Sequence, residues 1–330
     1  MKIWSSLLAV IALVFVTWLG AGVLHLNTFF GIVVPYLAFV IFLAGFVFRV
    51  VKWGKSPVPF SIPTTCGQQE SLPWIKPNKI ENPTSIWGVM VRMILEVTLF
   101  RSLFRNTATE KHDGNLAIGS AKWLWFGSLM FHWSMLIIII RHLRFFTEPV
   151  PAFIQGVEFL DSFMQIGIPL LYMTDVFIVL ALTYLFLRRV MIPKVRYISQ
   201  AADYFPLLLL LSVAISGILM RYFLKVDVVG VKEIAMGLVT FKPVAAANIG
   251  TIFYIHLACV SCLFAYFPWS KLMHAGGIFM SPTRNMANDS RMVRHVNPWN
   301  YDVKTHTYAE YEEEFRDKMK KAGLPLEGEG

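Results

Sequence analysis

Four histidines hold the chemical interest of this 330-residue chain: His132 and His142 lie ten residues apart in one apolar run, and His256 and His274 lie eighteen apart in another. At a helical rise of about 1.5 Å per residue these spacings become about 15 Å and about 27 Å, so each run carries one imidazole toward either side of a hydrocarbon core about 30 Å thick. Neutral imidazoles on facing helices are the axial ligands that a haem b iron takes from a helix bundle. Two haems stacked across a membrane need four histidines on two antiparallel helices, and the chain has that set. A single intramembrane histidine is accounted for by a hydrogen bond between helices. Two on each of two runs are not.

The elements that must position these residues follow from composition. The chain is 56% hydrophobic and 15% charged, with a mean hydropathy of +0.56, against about 25% charge in an ordinary soluble domain. Six runs are long enough to span, at 3–24, 29–48, 123–142, 163–187, 204–222 and 248–270, each near the ~20 residues a bilayer requires. The expected fold is an all-α integral membrane protein, six transmembrane helices forming a di-haem b bundle. Residues 1–28 carry an additional N-terminal helix, 29–275 the bundle with an inside loop at 49–122, and 276–330 a polar tail for docking a cytoplasmic partner. The first run follows Lys2 and exceeds the about 7–15 apolar residues of a signal peptide, so it reads as a retained anchor.

Charge sets the orientation. With both termini in the cytoplasm, 24 Lys and Arg residues fall inside and 6 outside, which satisfies the positive-inside rule in the cytoplasmic membrane. The same asymmetry accounts for the net charge of +9 without invoking nucleic acid. In this topology His132 and His274 lie near the cytoplasmic side, and His142 and His256 near the outer side. Eighteen helical residues make five full turns, so His256 and His274 share a face, with Pro268 between them able to kink the helix. Ten residues leave His132 and His142 about 80° apart, so their helix must tilt to present both rings.

Other residues cluster at the depth of the outer pair. Arg141, Arg144 and Arg221 can bind haem propionates, since a guanidinium matches a carboxylate in bidentate geometry; snorkelling to headgroups is the alternative. Asp175 falls near the middle of the fourth run, where a charge must be neutral, paired or wet. A proton path, a quinone contact and a hydrogen bond to another helix all fit it. Read together, His142, Asp175 and His256 also allow a different function, a proton or ion relay in a transporter.

Three cysteines exclude a four-Cys iron–sulfur cluster. Cys259 and Cys262 form a C-x-x-C without the following histidine of c-type haem attachment, so they read as helix-packing residues, and Cys66 as a free thiol. No zinc-protease motif, nucleophile elbow or phosphate-binding glycine loop occurs. Within the inside loop, Pro57, Pro59, Pro63, Pro73, Pro77 and Pro83 preclude regular helix in its first part. Its second part, Ile86 to Phe104, is apolar but carries Arg92, Glu96 and Arg101. That pattern predicts an interfacial or partner-facing helix. In the tail, Tyr308–Ala322 reads as a short helix.

The two histidine pairs resemble the gamma subunit of respiratory nitrate reductase and its relatives, a family of di-haem b membrane subunits. The resemblance covers roughly 29–275. Within the family, the six-helix length and the tail from Ser281-Pro282-Thr283-Arg284-Asn285 through Arg294-His295-Val296-Asn297-Pro298-Trp299-Asn300-Tyr301 are similar to the branch serving dissimilatory sulfite reduction. The resemblance implies menaquinol or menaquinone chemistry at the outer haem and electron exchange between the two haems. It also implies a cytoplasmic iron–sulfur partner like heterodisulfide-reductase subunits, and outside partners including a multihaem cytochrome c. The gamma subunits place a quinol-site lysine shortly beyond the second histidine, yet 145–165 has no lysine. Glu148, Glu158 and Asp161 stand there instead, as carboxylates able to accept quinol protons.

Overall fold

The computed structural model describes residues 2–56, 77–112, 115–162, 169–244, 249–288 and 305–327. The prolines from Pro57 to Pro73, Cys66, the start of the fourth run at 163–168, His295 and the Asn297–Asn300 motif lie outside the described residues. Helices α1 (Lys2–Val23) and α2 (Phe29–Gly54) come first, and both are long and apolar enough to span. The following segment holds α3 (Ile86–Leu99) and α4 (Arg101–Phe104). An antiparallel hairpin of β1 (Thr107–His112) and β2 (Asn115–Ser120) then pairs Thr107 with Ser120 and His112 with Asn115. The expectation of an all-helical chain is corrected here. The sequence between the strands is Asp113-Gly114, a strong hairpin signal that a hydropathy reading passes over.

Three further helices have spanning length and composition: α5 (Lys122–Phe145), α9 (Ala201–Phe223) and α11 (Thr251–Trp269). Between them lie α6 (Ala152–Asp161), α7 (Met173–Met191), α8 (Pro193–Ile198) and α10 (Val228–Val239). After α11 come the short helices α12 (His274–Gly277) and α13 (Pro282–Asn285), then α14 (Tyr308–Lys321). Five helices thus meet the span criteria among the described residues, against the six expected.

The fourth expected span corresponds to α7, which starts at Met173 rather than 163 and carries Asp175 in its first turn and Arg188 and Arg189 in its last. Its start is capped from outside the helix: Asp161 Oδ1 accepts from the Thr174 backbone N–H at 3.0 Å, satisfying one of the donors a helix N-terminus leaves open. Asp175 is therefore at a helix end and not mid-span.

Helix α11 packs against α1, α2 and α9, while α7 packs against both α5 and α9. A cluster of Ile178, Leu182 and Leu210 joins α7 to α9, flanked by Phe131, Met135 and Ile138 of α5 and Leu263 of α11. Cys259 is fully buried in a second cluster with Val10 and Leu209, Cys262 packing alongside, as expected of packing residues. Two close approaches need glycine. A Cβ on Gly127 would sit 2.5 Å from the Tyr184 ring, and one on Gly45 would sit 2.8 Å from Pro268. In the tail, α14 opens on a capping box formed by Thr307 and Glu310.

Candidate functional site in the membrane bundle

All four histidines present their rings in one protonation pattern. His132 Nδ1 lies 2.7 Å from the Ser128 carbonyl, His142 Nδ1 2.7 Å from that of Ile138, and His274 Nδ1 2.8 Å from that of Lys271. A carbonyl oxygen can only accept, so Nδ1 carries a proton in each, and in a neutral imidazole that arrangement leaves the lone pair on Nε2. His256 reaches the same state by another route. Its Nδ1 lies 2.9 Å from Ser216 Oγ, whose one proton is committed to the Ser212 carbonyl at 2.7 Å. The hydroxyl therefore accepts from Nδ1, and Nε2 is again open. An imidazole oriented in this way has the form that a metal-binding histidine takes.

The fold brings them together in two pairs. The His132 and His274 ring centres are 6.0 Å apart with planes at 84°. Two imidazoles bound to one metal from opposite sides, at about 2 Å per metal–nitrogen bond, have ring centres about 6 Å apart, so this pair fits an iron between them. At the other end of α5, His142 and His256 are close enough to interact electrostatically.

One expectation fails. His256 and His274 do not share a helix, because α11 stops at Trp269 and Ser270 is extended, at φ −114° and ψ 177°. A 3-10 turn over Lys271–Met273 then delivers His274 at the start of α12. The five-turn alignment is therefore not what orients His274. That turn is held from α9: buried Asp203 accepts from Lys271 Nζ at 2.7 Å, while the Lys271 carbonyl orients the ring.

The arginines expected at propionates have other partners. Arg141, with a side chain 7% exposed, reaches Asp175 Oδ1 at 2.7 Å and Thr174 Oγ1 at 3.1 Å through Nη2. Its Nε lies 3.0 Å from Asp161 Oδ2, an ion-pair distance off the hydrogen-bond direction. The guanidinium also stacks 3.7 Å from the Tyr172 ring centre, whose vicinity it shares with Arg221 at 4.2 Å. Tyr222 closes the network by donating to Asp175 Oδ2 at 2.8 Å. Asp175 is thus paired with Arg141 and Tyr222 at the start of α7. Arg144 pairs with Glu158 at 3.0 Å.

Asp161 also lines a largely apolar cavity of about 310 Å³ with Met130, Trp133, Ile137 and Phe177. Its oxygens are nonetheless taken by Thr174 and Arg141. Glu148 is the most exposed of the three candidate carboxylates and pairs with Lys232 of α10, a helix that packs on the 143–145 turn just beyond His142. A lysine does stand near the second histidine. It comes from another element, 90 residues further along the chain, where a search confined to the adjacent loop does not reach.

Ser216→Ala is expected to release the His256 ring and weaken retention of a group bound there by about 10–100-fold, measured as cofactor loss on dilution, with the His132/His274 pair unaffected.

A helical bundle carrying two histidine pairs, each ring held by Nδ1 and open at Nε2, defines a multi-pass, cytochrome b-like membrane protein. Residues 85–296 match the nitrate reductase gamma subunit family, and the chain belongs to that family. It is 47% identical over 281 residues to the Hdr-like menaquinol oxidoreductase cytochrome b-like subunit of Archaeoglobus fulgidus, covering 83% of this chain and 84% of that protein. The protein of the same name from Archaeoglobus profundus is 44% identical over 272 residues, covering 80% and 81%. The family match begins at α3, so α1 and α2 both precede it.

Proposed function

We propose that the chain is a membrane electron-transfer subunit that binds two haem b groups and exchanges electrons between menaquinol or menaquinone and a cytoplasmic iron–sulfur partner. The observation that carries this reading is the gathering of His132 with His274, ring centres 6.0 Å apart, and of His142 with His256, each ring with Nδ1 held by a protein oxygen. Each haem, when bound, supplies a one-electron carrier at its own depth. His132 with His274 would hold the inner group and His142 with His256 the outer one.

The sixth span of this reading is α7. Its 19 residues extend about 28 Å, close to the hydrocarbon thickness of about 30 Å, and its charges sit at its two ends. With α7 crossing, α5, α7, α9 and α11 alternate in direction, both termini lie in the cytoplasm, and the His142 end faces outward.

For quinol protons the geometry favours Glu148 with Lys232. Arg144 and Arg141 hold Glu158 and Asp161 in ion pairs, whereas Glu148 is 65% exposed. A carboxylate beside an ammonium can accept a hydroxyl proton as the electrons leave. Glu148→Gln and Lys232→Ala are each expected to lower menaquinol-analogue oxidation by about 100-fold while the haem content stays at two per chain. Unchanged turnover in both variants would move the quinone site elsewhere.

The name of the Archaeoglobus relatives supports a menaquinol oxidoreductase with Hdr-like partners, which the topology of this reading would meet on the cytoplasmic side. The resemblance of the tail supports a place in dissimilatory sulfur metabolism, with a multihaem cytochrome c among the outside subunits. An optical spectrum tests the whole reading. A b-type alpha band on dithionite reduction with two haems per chain is expected, and colourless protein that still moves an ion would instead establish the transporter.

A further inference from the structure

Helix α3 is built inside out. Its charged residues are Arg92 and Glu96, and both are buried at 8% exposure. Arg92 donates to the carbonyl oxygens of Glu81 at 2.9 Å, Arg284 at 3.1 Å and Met286 at 3.4 Å. Glu96 accepts from the Ser102 N–H at 2.9 Å and hydroxyl at 2.7 Å, and pairs with Arg284 at 3.3 Å. The outward face is Ile86, Trp87, Met90, Val91, Ile94 and Val97, each between 40% and 72% exposed. A helix facing water would be turned the other way.

The far end of α3 is fastened to a spanning helix. Thr98 and Leu99 carbonyls accept from the Trp133 and Trp125 indoles at 3.0 Å and 2.6 Å. Phe100, left-handed at φ 50°, reverses the chain with its ring 4.8 Å from that of His132. Helix α4 then returns toward the start of α5, where Phe104 packs 4.8 Å from Trp125 and Lys122 lies 5.6 Å from its ring. His132 is ten residues into α5, about 15 Å from its first residue.

We infer that residues 86–104 form a re-entrant arm that enters and leaves the bilayer on the Lys122 side of α5, with the Ile86/Trp87/Val91/Ile94 face against lipid acyl chains. Hydrocarbon tolerates a chain reversal only if protein satisfies its backbone polar groups. Here the Thr98 and Leu99 carbonyls are met by indoles, the Phe100 carbonyl by Phe104 N–H at 3.0 Å, and the Ser102 N–H by Glu96. Lipid is the occupant because the face has no polar side chain to specify a protein, and the helix it is fastened to, α5, has spanning length and composition and itself exposes Trp123 and Phe126 at 77% and 52%.

The test places photoreactive p-benzoylphenylalanine singly at Trp87 and Ile94 in the full chain in its native membranes, with Phe126 as a lipid-facing reference and Tyr308 as a tail reference. Phospholipid adducts at 87 and 94, comparable to those at 126 and absent at 308, are expected. Cross-links to another subunit or a second copy, or no lipid adduct at either position while 126 gives one, would overturn the inference. A second measurement leaves the fold undisturbed. Brominated-acyl phospholipids should quench a share of tryptophan emission that disappears in Trp87→Phe, and equal quenching in both proteins speaks against the arm.

Discussion

His274→Ala is expected to leave the purified chain with half its haem, one group per chain in place of two. The His274 ring centre lies 6.0 Å from that of His132, so its loss removes one of the two imidazoles that would hold the inner haem. The second pair draws on His142 and His256, whose orienting hydrogen bonds come from Ile138 and Ser216 and share nothing with the 271–274 turn. His132→Ala should give the same halving, and His142→Ala or His256→Ala should remove the other group. A pyridine haemochromogen assay reads the stoichiometry, and the reduced spectrum identifies which component is lost. Electron delivery to a cytoplasmic acceptor should fall to background in His132→Ala and His274→Ala. If His274→Ala and His142→Ala removed the same spectral component, the pairing would be wrong.

Arg141→Ala should be the most destabilising single change in the bundle. It leaves Asp161 and Asp175, with side chains 2% and 14% exposed, without their cation. Breaking one partner out of a buried pair costs about 3–5 kcal/mol, a large part of a total stability of about 5–15 kcal/mol. Arg141→Lys should rescue little, because an ammonium cannot span two carboxylates and stack on Tyr172 as the planar fork does. Combining Arg141→Met with Asp161→Asn and Asp175→Asn should recover most of the loss, since no unpaired charge then remains. Thermal unfolding in detergent measures all four proteins. An Arg141→Ala variant that melts like the parent but loses the outer haem would instead make Arg141 a propionate partner.

Much of this was legible before any contact was known. Hydropathy placed α1, α2, α5, α9 and α11 close to their observed bounds, because burial in a bilayer is imposed residue by residue by the surrounding hydrocarbon. The four histidines stood out for the same reason, as polar groups where none is tolerated without a partner. Arg92, Glu96 and Arg101 likewise marked 86–104 as a segment that does not span, and family membership followed from these positions.

The partners were not legible. Arg141 meets Asp161 and Asp175 from two other elements, Lys232 reaches Glu148 from α10, and Ser216 fixes the tautomer of His256 from α9. The helix break at Ser270 also overruled the periodicity that put His256 and His274 on one face. Sequence by itself determined which apolar runs have the length to span a membrane and which side chains have the chemistry to ligate a metal, since both depend on residue type and a local repeat. Tertiary structure alone decided which charge meets which and where the His256 imidazole carries its proton, because those depend on distances between segments tens of residues apart that only packing brings together.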